Sequence, residues 1–187
     1  MNFFMNNRIE YRPYGWVPDD FSLRGIDDKI YTLEKSMGKN GLVVMFICNH
    51  CPYVKSIAYQ LVIDTNLLKQ KGISSIAIMS NDFVNYPEDS FENMIKFSNK
   101  HKFNFPYVID DTQLVAKNFM AICTPDFFGF NKDFKLQYRG RLNDANRNLK
   151  SSKVKNELVD AMLSISKNGI CTQKQFPSVG CSIKWKQ

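Results

Sequence analysis

The clearest chemistry in this sequence belongs to two cysteines, Cys48 and Cys51, that are separated by two residues. They follow the apolar run Leu42–Ile47, and Pro52 comes directly after the second cysteine. A Cys-x-x-Cys pair at the junction of a buried strand and a helix is typical of reactive thiols, because free amide groups at the start of a helix stabilise a thiolate. The spacing therefore predicts a dithiol that forms and breaks a disulfide.

The position of each cysteine relative to the helix sets its expected role. We expect Cys48 to lie over the first helical amides and Cys51 to lie one turn further on. Lowering a thiol pKa from about 8.5 to about 6.5 requires roughly 2.7 kcal/mol, whereas a helix terminus supplies at most about 2 kcal/mol. A protonated His50 would supply part of the remainder. The hypothesis is that His50 makes the pair more oxidising, and an unchanged reduction potential in His50→Gly would refute it.

Other uses of the pair are weaker interpretations. Zinc would need four ligands, so Cys48, His50, Cys51 and Cys123 would all have to converge. Attachment of a c-type haem would need histidine directly after the second cysteine, where Pro52 stands. Two inert buried cysteines are a third interpretation, although a proline at this point suits the first turn of a helix. We therefore predict no metal and no other cofactor.

The elements around the pair follow a strand–helix–strand pattern. Leu42–Ile47 and Ile73–Met79 are continuous apolar runs typical of strands buried on both faces, and Tyr53–Lys71 between them has apolar residues at helical spacing. A right-handed crossover would make the two strands parallel, which places Cys48 at the carboxyl edge of the sheet.

The remaining periodicity completes an α/β chain. We expect a single domain over residues 1–187, with a core of about 16–167 and a tail, 170–187, that could pack near the active site. The following helices are predicted: Pro87–Lys100, a helix capped by Asp111 or Thr112 that runs to about Met120, and Val154–Ser166 with Gly169 as its stop. The following strands are predicted: Phe21–Leu23, Ile30–Leu33, Pro106–Ile109, Asp126–Asn131 and Lys135–Tyr138.

Composition narrows the class of protein. The 187 residues carry a formal charge of +7 and five cysteines, an odd and sparse set that favours thiols over a disulfide framework. The basic residues, locally rich at 132–141 and 147–155, are mixed with acids and accompany no nucleic-acid motif, so no nucleic-acid partner is predicted. The N-terminal apolar cluster Phe3–Met5 is too short for a signal peptide, and no run suits a membrane span. We expect a cytoplasmic protein with no membrane partner.

The order of motifs resembles the thioredoxin superfamily: a strand, a Cys-x-x-Cys pair, a helix, and a later X-Pro that enters a hairpin at Cys123-Thr124-Pro125-Asp126-Phe127. The similarity is greatest to peroxiredoxin-like proteins related to AhpC/TSA, redoxin and TlpA, which have an added N-terminal hairpin. The sequence CNHCPY from Cys48 and the late sequence PSVGCSIKW from Pro177 resemble one uncharacterised subgroup of thioredoxin family proteins. The resemblance implies a thioredoxin-like fold, with a central mixed sheet flanked by helices.

The resemblance also implies the roles of individual residues. Cys48 would be the nucleophile and Cys51 the resolving thiol, with Pro125 as a cis-proline beside them. Thr124 would present its backbone to a substrate peptide. The residues expected to support the site are Asn49, His50, Pro52, Thr124 and Pro125.

The implied activity is thiol:disulfide exchange. The substrate would be a protein or small-molecule disulfide, and a thioredoxin- or glutathione-type partner would reduce the enzyme. We expect a monomer or a weak homodimer. Peroxiredoxins usually carry P-x-x-x-T-x-x-C, whereas Gly41 and Met45 stand at the corresponding positions before Cys48. This departure argues against peroxidase activity, so an antioxidant thiol peroxidase is kept only as an alternative. A non-catalytic thioredoxin-like binding module is another alternative.

Two further cysteines admit two interpretations each. Cys123 adjoins the predicted cis-proline, yet a small apolar cysteine at the end of a helix is commonly part of a core, which is the interpretation we favour. Cys181, in the glycine-containing tail, could fold back as a third thiol, or the tail could support the site through Lys184 and Trp185; both interpretations rest mainly on the resemblance.

Overall fold

The computed structural model of the protein describes residues 11–145 and 154–187. Within them, strands and helices alternate in the order that the apolar pattern predicts. The strands are β1 (Ser22–Gly25), β2 (Ile30–Thr32), β3 (Gly41–Phe46), β4 (Ile73–Met79), β5 (Tyr107–Ile109), β6 (Cys123–Thr124), β7 (Asp126–Phe130), β8 (Leu136–Gly140) and β9 (Cys181–Ser182). The helices are α1 (Leu33–Ser36), α2 (Pro52–Gln70), α3 (Phe91–His101), α4 (Leu114–Phe119) and α5 (Glu157–Asn168).

The strands form one mixed sheet and one short pair. The sheet has seven strands in the order β2-β1-β5-β4-β3-β7-β8, and β6 pairs with β9. β4 runs parallel to both β3 and β5, whereas β7 runs antiparallel to β3. The predicted strand–helix–strand unit is therefore confirmed, as is the N-terminal hairpin of β1 and β2, which joins the sheet through β5.

The central strand β3 is buried on both faces because apolar layers cover the sheet on either side. Val43 and Met45 point into the layer that contains α2, α3 and α5, while Val44 and Phe46 point into the layer that contains α4 and a cluster of aromatic rings. All four are fully buried. The continuous apolar run of this strand thus reflects two separate cores, and it holds the chain rigidly up to the cysteine pair.

The helix predicted over Pro87–Lys100 is divided in two. A single 3₁₀ turn covers Pro87–Asp89, and α3 begins only at Phe91, because Ser90 has an extended backbone and its side chain caps the amide of Asn93. The turn directs Asp89 into the interior, where it is fully buried.

Two other helix boundaries also differ from prediction. α4 begins at Leu114 rather than near Thr112, because the carboxylate of Asp110 accepts hydrogen bonds from the amides of Val115 and Ala116. α5 runs later than predicted, over Glu157–Asn168, and ends as expected at Gly169, whose φ of 78° suits glycine.

Some predictions fall wholly or partly outside the described residues. They concern the apolar cluster 3–5 and the basic stretch 147–155, of which only the last two residues are described. Among the helices of the described residues, none has the length and apolar character that a membrane crossing requires.

Candidate active site

The cysteine pair lies between the end of β3 and the start of α2. β3 ends at Phe46, α2 begins at Pro52, and Cys51 is the N-cap residue of the helix. The expected placement of Cys51 one turn into the helix is therefore wrong, whereas Cys48 lies close enough to the backbone amide of Cys51 for that amide to favour its thiolate, as expected. Pro52 occupies the first helical position, where its missing amide proton costs nothing, so Cys51 lies at the helix terminus instead.

Both thiols contact the loop before β7. Cys48 Sγ lies 3.2 Å from Thr124 Oγ1. Cys51 Sγ lies 3.1 Å from the carbonyl oxygen of Thr124 and 3.1 Å from Cys181 Sγ. Cys48 and Cys51 are both fully buried, with 0% of either residue exposed, whereas Cys181 is partly exposed.

The surroundings of the two thiols separate their pKa values. The hydrogen bond from the Cys48 thiol lowers the pKa of Cys51, and hydrogen bonds from the Cys181 thiol and the Val54 amide act in the same direction. The pKa of Cys48 is raised, because Cys48 donates that hydrogen bond and is buried. The Thr124 carbonyl opposes ionisation of Cys51, since it accepts a hydrogen bond from the protonated thiol. The balance favours the thiolate on Cys51.

Asp89 organises the loop between the two cysteines. Its Oδ1 accepts hydrogen bonds from the backbone amides of Asn49 and His50, at 2.8 and 3.3 Å. Its Oδ2 lies 2.6 Å from His50 Nδ1 and accepts a hydrogen bond of 2.8 Å from Asn81 Nδ2. Four donor groups thus surround a fully buried carboxylate, as a buried charge requires.

The same network reaches both flanks of the site. Asn49 accepts a hydrogen bond of 2.9 Å from the hydroxyl of Tyr107 on β5 and donates one to the carbonyl of Glu88. Asn81 accepts one of 2.9 Å from the backbone amide of Lys184. Asn49 is therefore a structural support of the loop, and Asn81 links the loop to the C-terminal tail.

His50 lies closer to Asp89 than to Cys48. Its Nδ1 is 4.0 Å from Cys48 Sγ but 2.6 Å from Asp89 Oδ2, and its ring stacks on Tyr86. Any positive charge on the imidazole is therefore paired with a carboxylate, which reduces its effect on the thiols.

The loop before β7 has the predicted cis bond between Thr124 and Pro125. The expectation that Thr124 presents free backbone groups to a substrate peptide is wrong. Thr124 pairs with Cys181 in the short antiparallel ladder of β6 and β9, and Cys123 pairs with Ser182. The chain's own tail thus occupies the edge that a substrate strand would use.

The tail is attached on both sides of this ladder. Before it, the Ser178 hydroxyl lies within hydrogen-bonding distance of two oxygens, 2.8 Å from Asp126 Oδ1 and 2.6 Å from the carbonyl oxygen of Gly140. After it, Ile183 is buried and the Lys184 carbonyl accepts a hydrogen bond from the amide of Asp82. The tail is therefore part of the site, and it places Cys181 against Cys51.

Cys123 and Cys171 lie apart from this contact. The Cys123 thiol is buried and donates to the carbonyl of Pro125, and burial raises its pKa to about 12. The features agree with the core interpretation. Cys171, on the tail, hydrogen-bonds to Gln173.

The side chains that could ligate a metal ion differ from the set that the zinc hypothesis required. Among the described residues, Cys48, His50 and Asp89 have potential ligand atoms within 4.8 Å of one another. Cys123, which the zinc hypothesis required, is not one of them. The imidazole and carboxylate already bond to each other, so a metal ion would have to separate them.

Comparison with protein families decides the relationship that the motifs suggested. The family model described as "AhpC/TSA family" matches residues 17–139. The chain belongs to the AhpC/TSA family. This is a thioredoxin-like redox family, so the resemblance inferred from the motifs is confirmed at that level, while the subgroup with CNHCPY remains a prediction.

Solved structures similar to this AhpC/TSA protein cover nearly its whole length. An uncharacterized conserved protein from Geobacillus kaustophilus has 44% identity, 93% coverage of each chain and a TM-score of 0.85. A hypothetical protein from Sinorhizobium meliloti has 32% identity, covers 95% of this chain and 97% of its own, and has a TM-score of 0.88. No curated protein matches the sequence.

A more distant similarity confirms the thioredoxin-like fold. Peroxidoxin BcpB from Mycobacterium tuberculosis has a TM-score of 0.58 at 15% identity and covers 83% of this chain and 94% of its own. At this identity the likeness concerns the fold alone.

Sequence reasoning missed Asp89 and Asn81 as residues of this AhpC/TSA site. Asp89 lies 40 positions after Asn49 in the chain, and it follows Pro87 and Glu88 in what reads as the acidic first turn of a helix. The available signal was Ser90, because a helix cap at that position leaves Asp89 outside the helix and free to turn inward.

Proposed function

We propose that this protein is a thiol:disulfide oxidoreductase in which Cys48 and Cys51 alternate between a dithiol and a disulfide. The observation that carries the proposal is that both thiols contact Thr124, the residue before cis-Pro125. Two neighbouring thiols, one with a lowered pKa, are what thiol–disulfide exchange requires, because the thiolate attacks and the second thiol resolves the mixed disulfide. The substrate is a disulfide, and a thioredoxin- or glutathione-type partner restores the dithiol.

Within the pair, the surroundings support Cys51 as the resting thiolate, the reverse of the assignment implied by the resemblance. Cys51 caps α2 and receives hydrogen bonds from Cys48, Cys181 and the amide of Val54. The carboxylate of Asp89 acts against ionisation of Cys48. In this arrangement Cys51 is the attacking thiolate of the pair, and Cys48 resolves the disulfide that Cys51 forms.

Turnover of a disulfide substrate tests the proposal. The measurement is reduction of insulin disulfides with dithiothreitol as the electron donor. We expect the protein to accelerate the reaction and Cys48→Ser and Cys51→Ser each to abolish the acceleration. Cys171→Ser, which removes a thiol outside the site, is expected to retain it. Acceleration that survives loss of both Cys48 and Cys51 would contradict the proposal.

The direction of electron flow is a separate measurement on the same pair. A Cys48/Cys51 reduction potential near about −270 mV indicates a reductant, and one near about −120 mV indicates an oxidant. Equilibration in glutathione buffers, followed by acid quenching and alkylation, measures it.

Peroxide reduction is the second candidate function. The hydroxyl of Thr124 lies 3.2 Å from Cys48 Sγ and supplies a hydrogen-bonding group beside the thiols, although Met45 stands where the peroxiredoxin threonine is expected. Hydrogen peroxide consumption with dithiothreitol tests this candidate. Turnover that depends on Cys48 or Cys51 would support it, and oxidation without turnover would eliminate it.

A further inference from the structure

We propose that Cys181 is the thiol that exchanges with substrate, and that it relays electrons between the substrate and the buried pair Cys48/Cys51. This inference rests on the proposed function and adds the entry point of the reaction. Cys181 Sγ lies 3.1 Å from Cys51 Sγ, and Cys181 is partly exposed while Cys48 and Cys51 have no exposed surface.

Burial determines the order of the steps. A disulfide substrate has to bring one of its sulfur atoms to within bonding distance of an attacking thiolate in line with the bond that breaks. The chain's own strand β9 covers the pair at Thr124, so neither buried sulfur offers that approach. Cys181 lies on the outer side of the same contact, and part of its surface is exposed to solvent.

A surface groove lies beside the two chain segments that pair at Thr124 and Cys181. The groove has a volume of about 250 Å³, and its walls include Tyr53, Ile57, Pro125, Arg141 and Val179. Pro125 directly follows Thr124, the ladder partner of Cys181, and Val179 lies two residues before Cys181. The groove therefore borders a neighbour of each residue in this pairing, and it is large enough for part of a small peptide disulfide.

The relay consists of three exchanges. First, the Cys181 thiolate attacks a substrate disulfide R–S–S–R′; a Cys181–SR bond forms, the S–S bond breaks and R′S⁻ leaves. Second, the Cys51 thiolate attacks the Cys181 sulfur, which forms a Cys51–Cys181 disulfide and expels RS⁻. Third, Cys48 attacks the Cys51 sulfur, which forms the Cys48–Cys51 disulfide and returns Cys181 as a thiolate.

The electrons and protons balance over the three steps. Two electrons pass from Cys48 and Cys51 to R–S–S–R′. The Cys48 thiol supplies one of the two protons that end on RSH and R′SH, and solvent supplies the other because Cys51 starts as a thiolate. Cys181 loses its proton before the first step and regains it after the third. The reverse sequence oxidises a substrate dithiol, so the relay holds for either direction of flux.

The residue before Cys181 explains how the tail comes so close to the pair. A Cβ on Gly180 would overlap the carbonyl oxygen of Thr124, so only glycine permits this approach of the two backbones. Replacement of Gly180 is therefore the most direct way to separate Cys181 from Cys51 without altering any cysteine.

The first experiment uses the unmodified chain. Reduced protein is mixed with oxidised glutathione, quenched with acid at early times, alkylated, digested with trypsin and mapped by mass spectrometry. Cys181, Cys171 and Cys123 fall in separate tryptic peptides, and Cys48 and Cys51 share another. We expect glutathione to appear first on the Cys181 peptide. First appearance on the Cys48/Cys51 peptide would overturn the relay.

Variants then trap the successive intermediates. In Cys51→Ser the Cys181–glutathione mixed disulfide should accumulate, and in Cys48→Ser the Cys51–Cys181 disulfide should accumulate. Cys181→Ser should slow oxidation of the pair by about tenfold or more, whereas Cys171→Ser on the same tail should change it by less than about twofold. Glutathione bound to Cys48 in Cys51→Ser, with Cys181 unmodified, would contradict the proposal.

Gly180→Val keeps all five thiols and tests their juxtaposition. We expect alkylation of Cys51 to become about tenfold faster or more, because the strand no longer covers it, and formation of the Cys51–Cys181 disulfide to fall by a similar factor. Ser182→Ala, at an exposed position of the same strand, is the matched control and should match the parent protein. Unchanged alkylation and disulfide formation in Gly180→Val would count against the relay. Failure of the proposed function has a different signature, namely an unmodified protein that exchanges with no disulfide at all.

Discussion

Two buried carboxylates, one beside helix α2 and one within it, differ in the number of hydrogen bonds that they accept. Asp89, beside the first turn, is fully buried and accepts hydrogen bonds from four donor groups. Asp64, within the helix, is 1% exposed; its Oδ1 accepts one hydrogen bond from Gln60, and its Oδ2 has no partner among the described residues. Burial raises the pKa of Asp64 to about 6.

The difference shows which buried carboxylate belongs to the site. The donors of Asp89 come from the loop between the cysteines and from Asn81, so this carboxylate fixes the geometry of the reactive pair. Asp64 bonds within its own helix and fixes nothing else. A buried carboxylate destabilises the folded state by several kcal/mol unless hydrogen bonds compensate its charge. Asp64 therefore destabilises the fold locally, whereas Asp89 organises the site.

Removing the organising carboxylate should have the largest effect. Asp89→Ala leaves the amides of Asn49 and His50, the imidazole of His50 and the amide of Asn81 without their acceptor. We expect the free energy of unfolding to fall by about 3 kcal/mol or more, because buried donors lose their partner. Urea unfolding followed by circular dichroism measures it.

The matched control for this change is the neighbouring residue. Glu88 has an exposed side chain and uses only its backbone carbonyl in the network. Glu88→Ala should stay within about 0.5 kcal/mol of the parent protein. Equal losses in the two variants would mean that the turn as a whole, rather than the carboxylate of Asp89, supports the site.

Removing the carboxylate of Asp64 should stabilise the protein, the opposite of the effect expected at Asp89. The pKa of Asp64 in the folded protein, about 6, exceeds the ordinary value of 3.8 for an aspartate, so the folded state holds more protons between these values. Stability from this group is therefore complete below about pH 4 and is lost as the pH rises through about 6. Asp64→Asn should raise the free energy of unfolding by about 1 to 2 kcal/mol at pH 7 and by almost nothing at pH 4.

Unfolding at both pH values, with Asp133→Asn as the control, tests this sign. Asp133 lies exposed in the turn between β7 and β8, and its replacement should have no pH-dependent effect. A gain in Asp64→Asn that is equal at pH 4 and pH 7 would show that packing, rather than ionisation, is responsible.

The comparison also shows how far the sequence alone could lead. Periodicity predicted the strand β3, the helix α2 and the antiparallel hairpin of β7 and β8, because each depends on local alternation of apolar residues. The cis bond before Pro125 needed the family resemblance as well, since a turn with a trans bond fits the local sequence equally well.

Long-range contacts were beyond local reasoning. Asp89 meets Asn49 across 40 residues, and Cys181 meets Cys51 across 130 residues. The composition of the segments around Asp89 and Cys181 does not indicate which distant residues they contact. The late Gly180-Cys181 sequence contained the needed information, since a glycine that permits close backbone approach precedes a cysteine, but only the fold shows what is approached.

Replacement of His50 should have the smallest effect, a small shift of the reduction potential, and it tests how Asp89 acts on the thiols. His50 Nδ1 lies 2.6 Å from the carboxylate and 4.0 Å from Cys48 Sγ, so removing the imidazole leaves a negative charge near the thiols without its partner. A less stable thiolate destabilises the reduced form. We expect His50→Gly to lower the reduction potential by about 20 mV, which corresponds to roughly 1 kcal/mol.

A double replacement separates the imidazole from the carboxylate. In His50→Gly combined with Asp89→Asn, the charge that the imidazole compensates is also absent, so the potential should return towards the parent value. Lys55→Gln, which removes an exposed cation from the first turn of α2, is the control and should leave the reduction potential unchanged. If the single and double variants shift the potential equally, His50 acts on the thiols directly. If the double variant recovers, the imidazole acts mainly by neutralising Asp89, and the sequence-based hypothesis has the right sign for a different physical reason.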